Sequence, residues 1–175
     1  MFKNMGIIDS VPKGEGKFFE QVLHISVLFH NATSDGRWSS LPMHLQRISK
    51  IYPSCHSIAM AVSFLVPEMK LVHGVYMGFI DGEGDNTGRM FLNTCAHSWN
   101  VTPSGTIIDS YPVGILAGGP VVVASHGTYK SFGANHYVAK PEIKTRLPMY
   151  KHWSMACLIA DVVMYTASNQ EKKSV

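Results

Sequence analysis

Charge is scarce in this chain: Asp, Glu, Lys and Arg make up only 15% of its 175 residues, against 46% apolar residues. That balance excludes a disordered or solvating chain. The formal net charge is +3, and the cations are scattered, so no nucleic-acid partner is expected. Cysteine is rare as well. Three residues, an odd number at unpatterned spacing, argue against a disulfide framework and fit a reducing compartment. The apolar run Val22 to Phe29 is too short to span a bilayer and contains His24 and Ser26. No secretory h-region follows Met1-Phe2-Lys3-Asn4. Asn31-Ala32-Thr33 and Asn100-Val101-Thr102 match the glycosylation acceptor pattern, which is common by chance. Internal repeats and linkers are also missing. The expectation is a single domain over 1–175, cytoplasmic, with no membrane partner, long enough to bury a core without staples. Oligomeric state is left open.

What is present reads as helices around a sheet. Residues 1–16, with Gly6, Pro12, Gly14 and Gly16, suggest an irregular arm. Lys17 to His30 has Phe18, Val22, Ile25 and Phe29 on one helical face. Asn31 to Ser40, with Ser34-Asp35-Gly36, reads as a loop, and Pro42 opens a short helix over Met43 to Lys50. Leu71 to Ile80 alternates as a strand, and Gly74 and Gly78 on one face allow another element to approach closely. Val121 to Val123 and His136 to Ala139 are further strands, separated by a polar loop over Ser125 to Asn135. Val113 to Pro120 is a glycine-rich, apolar loop able to wall a cleft. A last helix has an apolar stripe of Trp153, Ala156, Cys157, Ala160, Val163, Met164 and Ala167. Trp38 and Trp153 are expected in the core, and Ser168 to Val175 is expected to fray. The fold class is α+β, an antiparallel sheet flanked by helices.

Two stretches carry chemistry. In Cys95 to Asp109, two short strands surround the turn Thr102-Pro103-Ser104-Gly105, whose proline and glycine suit a type I turn closed by a G1 bulge. That bulge places Trp99 opposite Asp109, and His97 on the same sheet face one diagonal step away. A carboxylate there can orient the imidazole. Upstream, Cys55 opens an apolar run in which Ile58, Ala59, Val62, Leu65 and Val66 continue one helical face. Pro53 and Ser54 are start signals, with Ser54 as N-cap, and Pro67 stops the helix. A thiol in a first helical turn beside an imidazole has a lowered pKa.

A cysteine opening a helix, a histidine in "HSWNVTPSGTIID" and an aspartate ending the next strand resemble the transglutaminase-like branch of the papain-like cysteine enzymes. The match covers about Tyr52 to Pro112. It implies a papain-like core, no cofactor, and Cys55 as nucleophile, His97 as general base and acid, and Asp109 as the orienting group. Trp99 beside His97, and Ser54 and His56 flanking Cys55, are the candidate substrate contacts, with Trp99 facing either core or cleft. One departure is that papain-like enzymes often place an oxyanion-hole glutamine shortly before the cysteine, whereas Gln46 lies nine residues upstream.

Other readings of the same residues are weaker. Cys55, His56, Cys95 and His97 lack the tight ligand spacing of structural zinc sites, and no metal is expected. Asp81 to Gly88 superficially matches a calcium loop, but Asn86 stands where glycine is required and Leu92 where the last ligand belongs. Cys157 reads as core, and His73, His126 and His136 as ordinary histidines. Three functions remain: a cysteine hydrolase of amide or isopeptide bonds in a peptide, protein or small amide; a transglutaminase-like acyl transferase; and a binding module that keeps the fold without catalysis.

Overall fold

The computed structural model of the chain describes residues 13–50, 52–81, 90–110, 122–124, 137–140 and 149–173, with 76–81, 90–95, 122–124 and 149 at the level of backbone only. The expected arm before Lys13, the loops over 113–120 and 125–135, and the calcium-like loop after Asp81 lie outside these residues, as do His126 and His136. Three α-helices appear among the described residues: α1 over Gly16–Thr33, α2 over Cys55–Leu65 and α3 over Met149–Lys173. The strands are β1 (Lys70–Asp81), β2 (Met90–Val101), β3 (Ile107–Asp109), β4 (Val122–Ala124) and β5 (Tyr137–Ala139). They form one sheet in the order β4-β3-β2-β1-β5, and every neighbouring pair is antiparallel. The class is therefore α+β. None of the described helices is long and apolar enough to cross a membrane.

The helix α2 is the pivot of the packing. Its residues Met60 and Ala61 join Leu158, Ile159 and Val162 of α3 and Leu41, Leu45 and Ile48 from the segment before it. Val62, with Val66 just past its end, joins Phe18, Phe19 and Val22 of α1 and Ile108 of β3. One apolar face was expected from the periodicity, but Cys55, His56, Ser57, Ala59, Met60, Ala61 and Val62 are all buried. A helix with neighbours on every side is apolar nearly all round.

Several local expectations are corrected. The segment after α1 is a 3₁₀ turn over Ser34–Ser40, broken by Asp35 (φ 54°) and Gly36 (φ 75°), two residue types that tolerate left-handed backbone. The helix expected over Met43 to Lys50 is a turn followed by a 3₁₀ stretch, Gln46–Lys50. Trp153, expected in the core, is 58% exposed, and Met164 is exposed too. The buried face of α3 is turned toward Leu158, Ile159 and Val162, away from the side carrying Trp153, Cys157 and Met164, so Cys157 is only partly buried. The expected frayed tail is helical to Lys173. Trp38 is half-buried against the α2–α3 cluster.

The strand holding His97 is longer than expected. It pairs with β1 along its full length, from Lys70 opposite Val101 to Asp81 opposite Met90. Gly74 lies in the middle of this ladder, opposite His97 on one side and Ala139 on the other. A Cβ on Gly74 would sit 2.5 Å from Trp99 Cη2 and would strike the Val138 carbonyl. The expected close approach is thus the indole of Trp99 lying over a glycine. Gly74→Ala should lower stability by about 1–3 kcal/mol, the usual cost of overpacking, read as a fall in thermal midpoint by circular dichroism. An unchanged midpoint would show that Trp99 does not need this space.

Candidate active site

The hairpin between β2 and β3 sets the geometry. Gly105 has φ 92°, the left-handed conformation that a G1 bulge requires and that glycine adopts without strain. Its N–H donates to the Thr102 carbonyl at 3.0 Å, and the Thr102 N–H donates to the Thr106 carbonyl at 2.9 Å. The resulting register places Asn100 opposite Ile108 and Val101 opposite Ile107. Continued by one step, it sets Trp99 opposite Asp109, with His97 diagonal to Asp109 on the same face. There His97 Nε2–H donates to Asp109 Oδ2 at 2.6 Å. Both residues are almost wholly buried, His97 at 2% exposure and Asp109 at 1%.

A tyrosine that spacing alone did not mark completes this pair. The Tyr137 hydroxyl donates to the same Asp109 Oδ2 at 2.8 Å. Tyr137 reaches the site because β5 pairs with the far edge of β1, Tyr76 opposite Tyr137. The Trp99 ring stacks near His97 and meets Tyr137 edge-on, with centroids 6.0 and 5.1 Å away. Trp99 is 2% exposed. Of the two faces open to it in the sequence, core or cleft, it takes a buried one, against His97 and Tyr137. The only sequence signal for Tyr137 is general, in that a buried tyrosine needs a partner for its hydroxyl.

The thiol arrives from α2. Ser54 is the N-cap in a reciprocal capping box: its side chain accepts from the Ser57 N–H, and the Ser57 hydroxyl accepts from the Ser54 N–H. The first turn of a helix leaves backbone N–H groups without an intrahelical acceptor, and Cys55 sits in that turn. Ser54 thus serves the helix start, and its hydroxyl also lies 3.2 Å from His152 Nδ1. Gln46 spends its amide N–H groups on the carbonyls of Ser39 and Leu41. Two further bonds, both missed in the sequence, clamp α2 to β2. The buried Asn100 amide donates to the Ala59 carbonyl at 2.9 Å, and Ser98 Oγ lies 2.6 Å from His56 Nδ1. His56, a candidate substrate contact in the sequence, is 7% exposed.

The structure brings Cys55, His97 and Asp109 together. The Cys55 Sγ–H points to the Ala96 carbonyl at 4.0 Å, and the imidazoles of His56 and His97 are near enough to act on its titration. Burial pushes the Cys55 pKa up, but the hydrogen bonds and charge of the two imidazoles outweigh it and bring the thiol down to about 6. His97 moves the other way. Burial lowers its pKa, and the hydrogen bonds to Asp109 and Cys55 raise it to about 9. Between these values the favoured form is a thiolate beside an imidazolium, the nucleophilic state of a cysteine. No group of three or more His, Cys, Asp or Glu side chains among the described residues is arranged to hold a metal. A cavity of about 290 Å³ bounded by Arg47, Tyr150, Lys151, Ser154, Met155 and Leu158 shares no residue with the triad.

Alkylation tests this electrostatic reading. Because only the thiolate reacts, the rate of Cys55 labelling by iodoacetamide should rise with pH around a midpoint near 6, and peptide mapping should find Cys55 labelled before Cys157. His97→Ala should move that midpoint upward by at least about one pH unit, since a charge and a donor are lost. A midpoint that stays with the ordinary thiol range in the unaltered protein would remove the ion pair. Comparison of the chain with family models, with curated proteins and with solved structures finds no match.

Proposed function

We propose that this protein is a cysteine-dependent hydrolase of amide-type bonds, working through a thioester on Cys55, with a papain-like core in the transglutaminase-like branch. One observation carries the reading: a helix-start thiol has its pKa lowered by an imidazole whose Nε2 is held by a buried carboxylate. The Cys55 thiolate attacks the carbonyl carbon of the substrate, and the C–S bond forms as the carbonyl π electrons move to oxygen. Backbone N–H groups at the positive end of α2 stabilise that oxyanion. His97 then donates its Nδ1 proton to the departing amine, the C–N bond breaks, and a thioester remains. Neutral His97 next takes a proton from water as the water attacks the thioester. The acid leaves, and the thiolate–imidazolium pair is restored. Asp109, with Tyr137 behind it, keeps the ring oriented throughout.

Hydrolysis is favoured over transfer because transfer needs a second surface that holds an amine and keeps water away, and no described segment is dedicated to that. The test is intact mass after mixing the protein with a panel of activated esters and anilides, with Cys55→Ala as control. An acyl adduct on Cys55 that decays chiefly to free acid, even with a primary amine present, is the expected result. A predominance of amide product would identify an acyl transferase, and no adduct with any donor would leave a binding module.

Two outcomes follow for substrates that form the adduct. Turnover should rise as the pH passes about 6, where Cys55 loses its proton, and decline as it passes about 9, where His97 loses its own. Asp109→Asn should reduce turnover on the order of 10³-fold or more, as loss of the orienting carboxylate does in a serine triad, while far-UV circular dichroism stays unchanged. Full activity in Asp109→Asn would remove the orienting role.

A further inference from the structure

The cavity beside α3 has no part in the reaction described above, and the elements that form it are short of acid. From Gly36 to Pro67 the chain carries no Asp or Glu, and α3 carries none from Met149 to Ala160. Arg47, in the 3₁₀ stretch before α2, and Lys151, in the first turn of α3, both border this space of about 290 Å³. Among the described residues neither cation is paired with a carboxylate, and the ion pairs Arg37–Asp35 and His97–Asp109 lie elsewhere. Cations that the sequence spreads apart are thus brought to one hollow by the fold.

The wall of this hollow is graded. Leu158 is buried and Met155 is partly buried against the α2–α3 cluster, so they form an apolar floor. Arg47, Lys151 and Ser154 are exposed, as is Tyr150, so the charged and polar groups stand at the mouth. Lys151 Nζ lies 5.8 Å from the centre of the Tyr150 ring. The hollow also adjoins the start of the thiol's own helix. His152, next in the chain after Lys151, holds its Nδ1 3.2 Å from the hydroxyl of Ser54, which caps the Cys55 helix.

We propose that this cavity is a specificity subsite of the Cys55 site and takes the side-chain carboxylate of a glutamate in a peptide substrate. Its role in turnover rests on the reading of Cys55 as a hydrolase nucleophile, whereas the binding itself needs no reaction. A guanidinium is a planar fork that meets a carboxylate through two N–H groups, and the Lys151 ammonium adds a second positive charge. The two methylenes of a glutamate cover the Met155 and Leu158 floor. A phosphate has no such stem, so the same floor disfavours it. An amine is repelled by two cations, so the hollow is not the acceptor surface that an acyl transferase requires. Exposed ion pairs are individually weak, and the subsite therefore selects among substrates rather than holding one tightly.

The test has a binding arm and a turnover arm. In the full chain carrying Cys55→Ala, so that nothing reacts, acetyl-Gly-Glu-Gly-amide is titrated at constant ionic strength and followed by backbone amide spectra of ¹⁵N-labelled protein. The glutamine counterpart of the peptide and inorganic phosphate are titrated in parallel. The glutamate peptide should give saturable shifts at Arg47 and from Tyr150 to Met155, the glutamine peptide none of comparable size, and added salt should weaken the binding. Arg47→Glu and Lys151→Glu should each weaken it by about threefold or more, and the double variant by about tenfold or more. Both side chains are exposed, so the variants should fold, which thermal melting checks. The proposal is overturned if the glutamate peptide gives no saturable shift there, if the glutamine peptide binds equally, or if phosphate moves the same amides as strongly, the mark of a general anion site. In the turnover arm, paired peptide amides carry glutamate or glutamine at successive positions on both sides of the reacting bond. At the best position the glutamate peptide should acylate Cys55 about fivefold faster, and the double variant should bring that ratio near one. Glutamate-selective binding with no acyl adduct from any donor would keep the subsite and discard the hydrolase. An acyl adduct with no preference for glutamate would keep the hydrolase and overturn the subsite.

Discussion

Everything near the thiol depends on one buried hydrogen bond, the 2.6 Å contact between His97 Nε2 and Asp109 Oδ2. A carboxylate removed from water is tolerated only when it is paired and its oxygens are satisfied. Here the imidazole and the Tyr137 hydroxyl share one oxygen, and the rings of Trp99 and Tyr137 lie against His97. That requirement reaches far into the fold. It fixes the β2–β3 register, because a slip of one residue would turn either His97 or Asp109 to the other face. It also requires β5 at the edge of β1, since Tyr137 has no other route to Asp109. Gly74 is bare for the same reason, leaving room for the indole beneath the histidine.

The helix side is held with comparable strictness. Asn100 and Ser98, alternate residues of β2 on the face opposite His97 and Trp99 by strand periodicity, bond to the Ala59 carbonyl and to His56. One strand therefore uses both faces: one holds the His–Asp pair, and the other clamps α2. The sulfur at the start of α2 is then set against two imidazoles in a largely dry surrounding, where hydrogen bonds and charge act more strongly than in water. Desolvation alone would keep the thiol protonated. The balance falls to the thiolate because the two imidazoles together outweigh it.

The errors of the sequence reading share a cause. Periodicity locates an apolar stripe to within about one residue step around a helix, and that is too coarse to decide which edge of α3 meets α2. Trp153 and Met164 lie one step on the wrong side, so they are exposed while Leu158 and Val162 are buried. Ser34 to Ser40 and Gln46 to Lys50 are 3₁₀ segments, whose short runs carry no period long enough to read. Trp99 and His56 were placed as substrate contacts because they neighbour catalytic residue types. Their burial is a property of what packs on them, and adjacency in sequence says nothing of that.

By itself the chain determined the features whose physics is local. The capped start of the Cys55 helix follows from Pro53, Ser54 and Ser57, and the β2–β3 turn follows from the proline and glycine of Thr102 to Gly105. Once that turn type is set, strand alternation puts His97 and Asp109 on one face within reach of each other. The alternating glycines of β1 likewise announced a close approach before its partner was known. Only the tertiary structure decided the rest: that Tyr137 backs Asp109, that Asn100 and Ser98 clamp the helix, and that Ser98 stands between His56 and His73. Those contacts join residues 25 to 42 positions apart. They arise from strand order and helix packing, where energies are set by shape and burial between distant segments, and no short window of sequence contains that information.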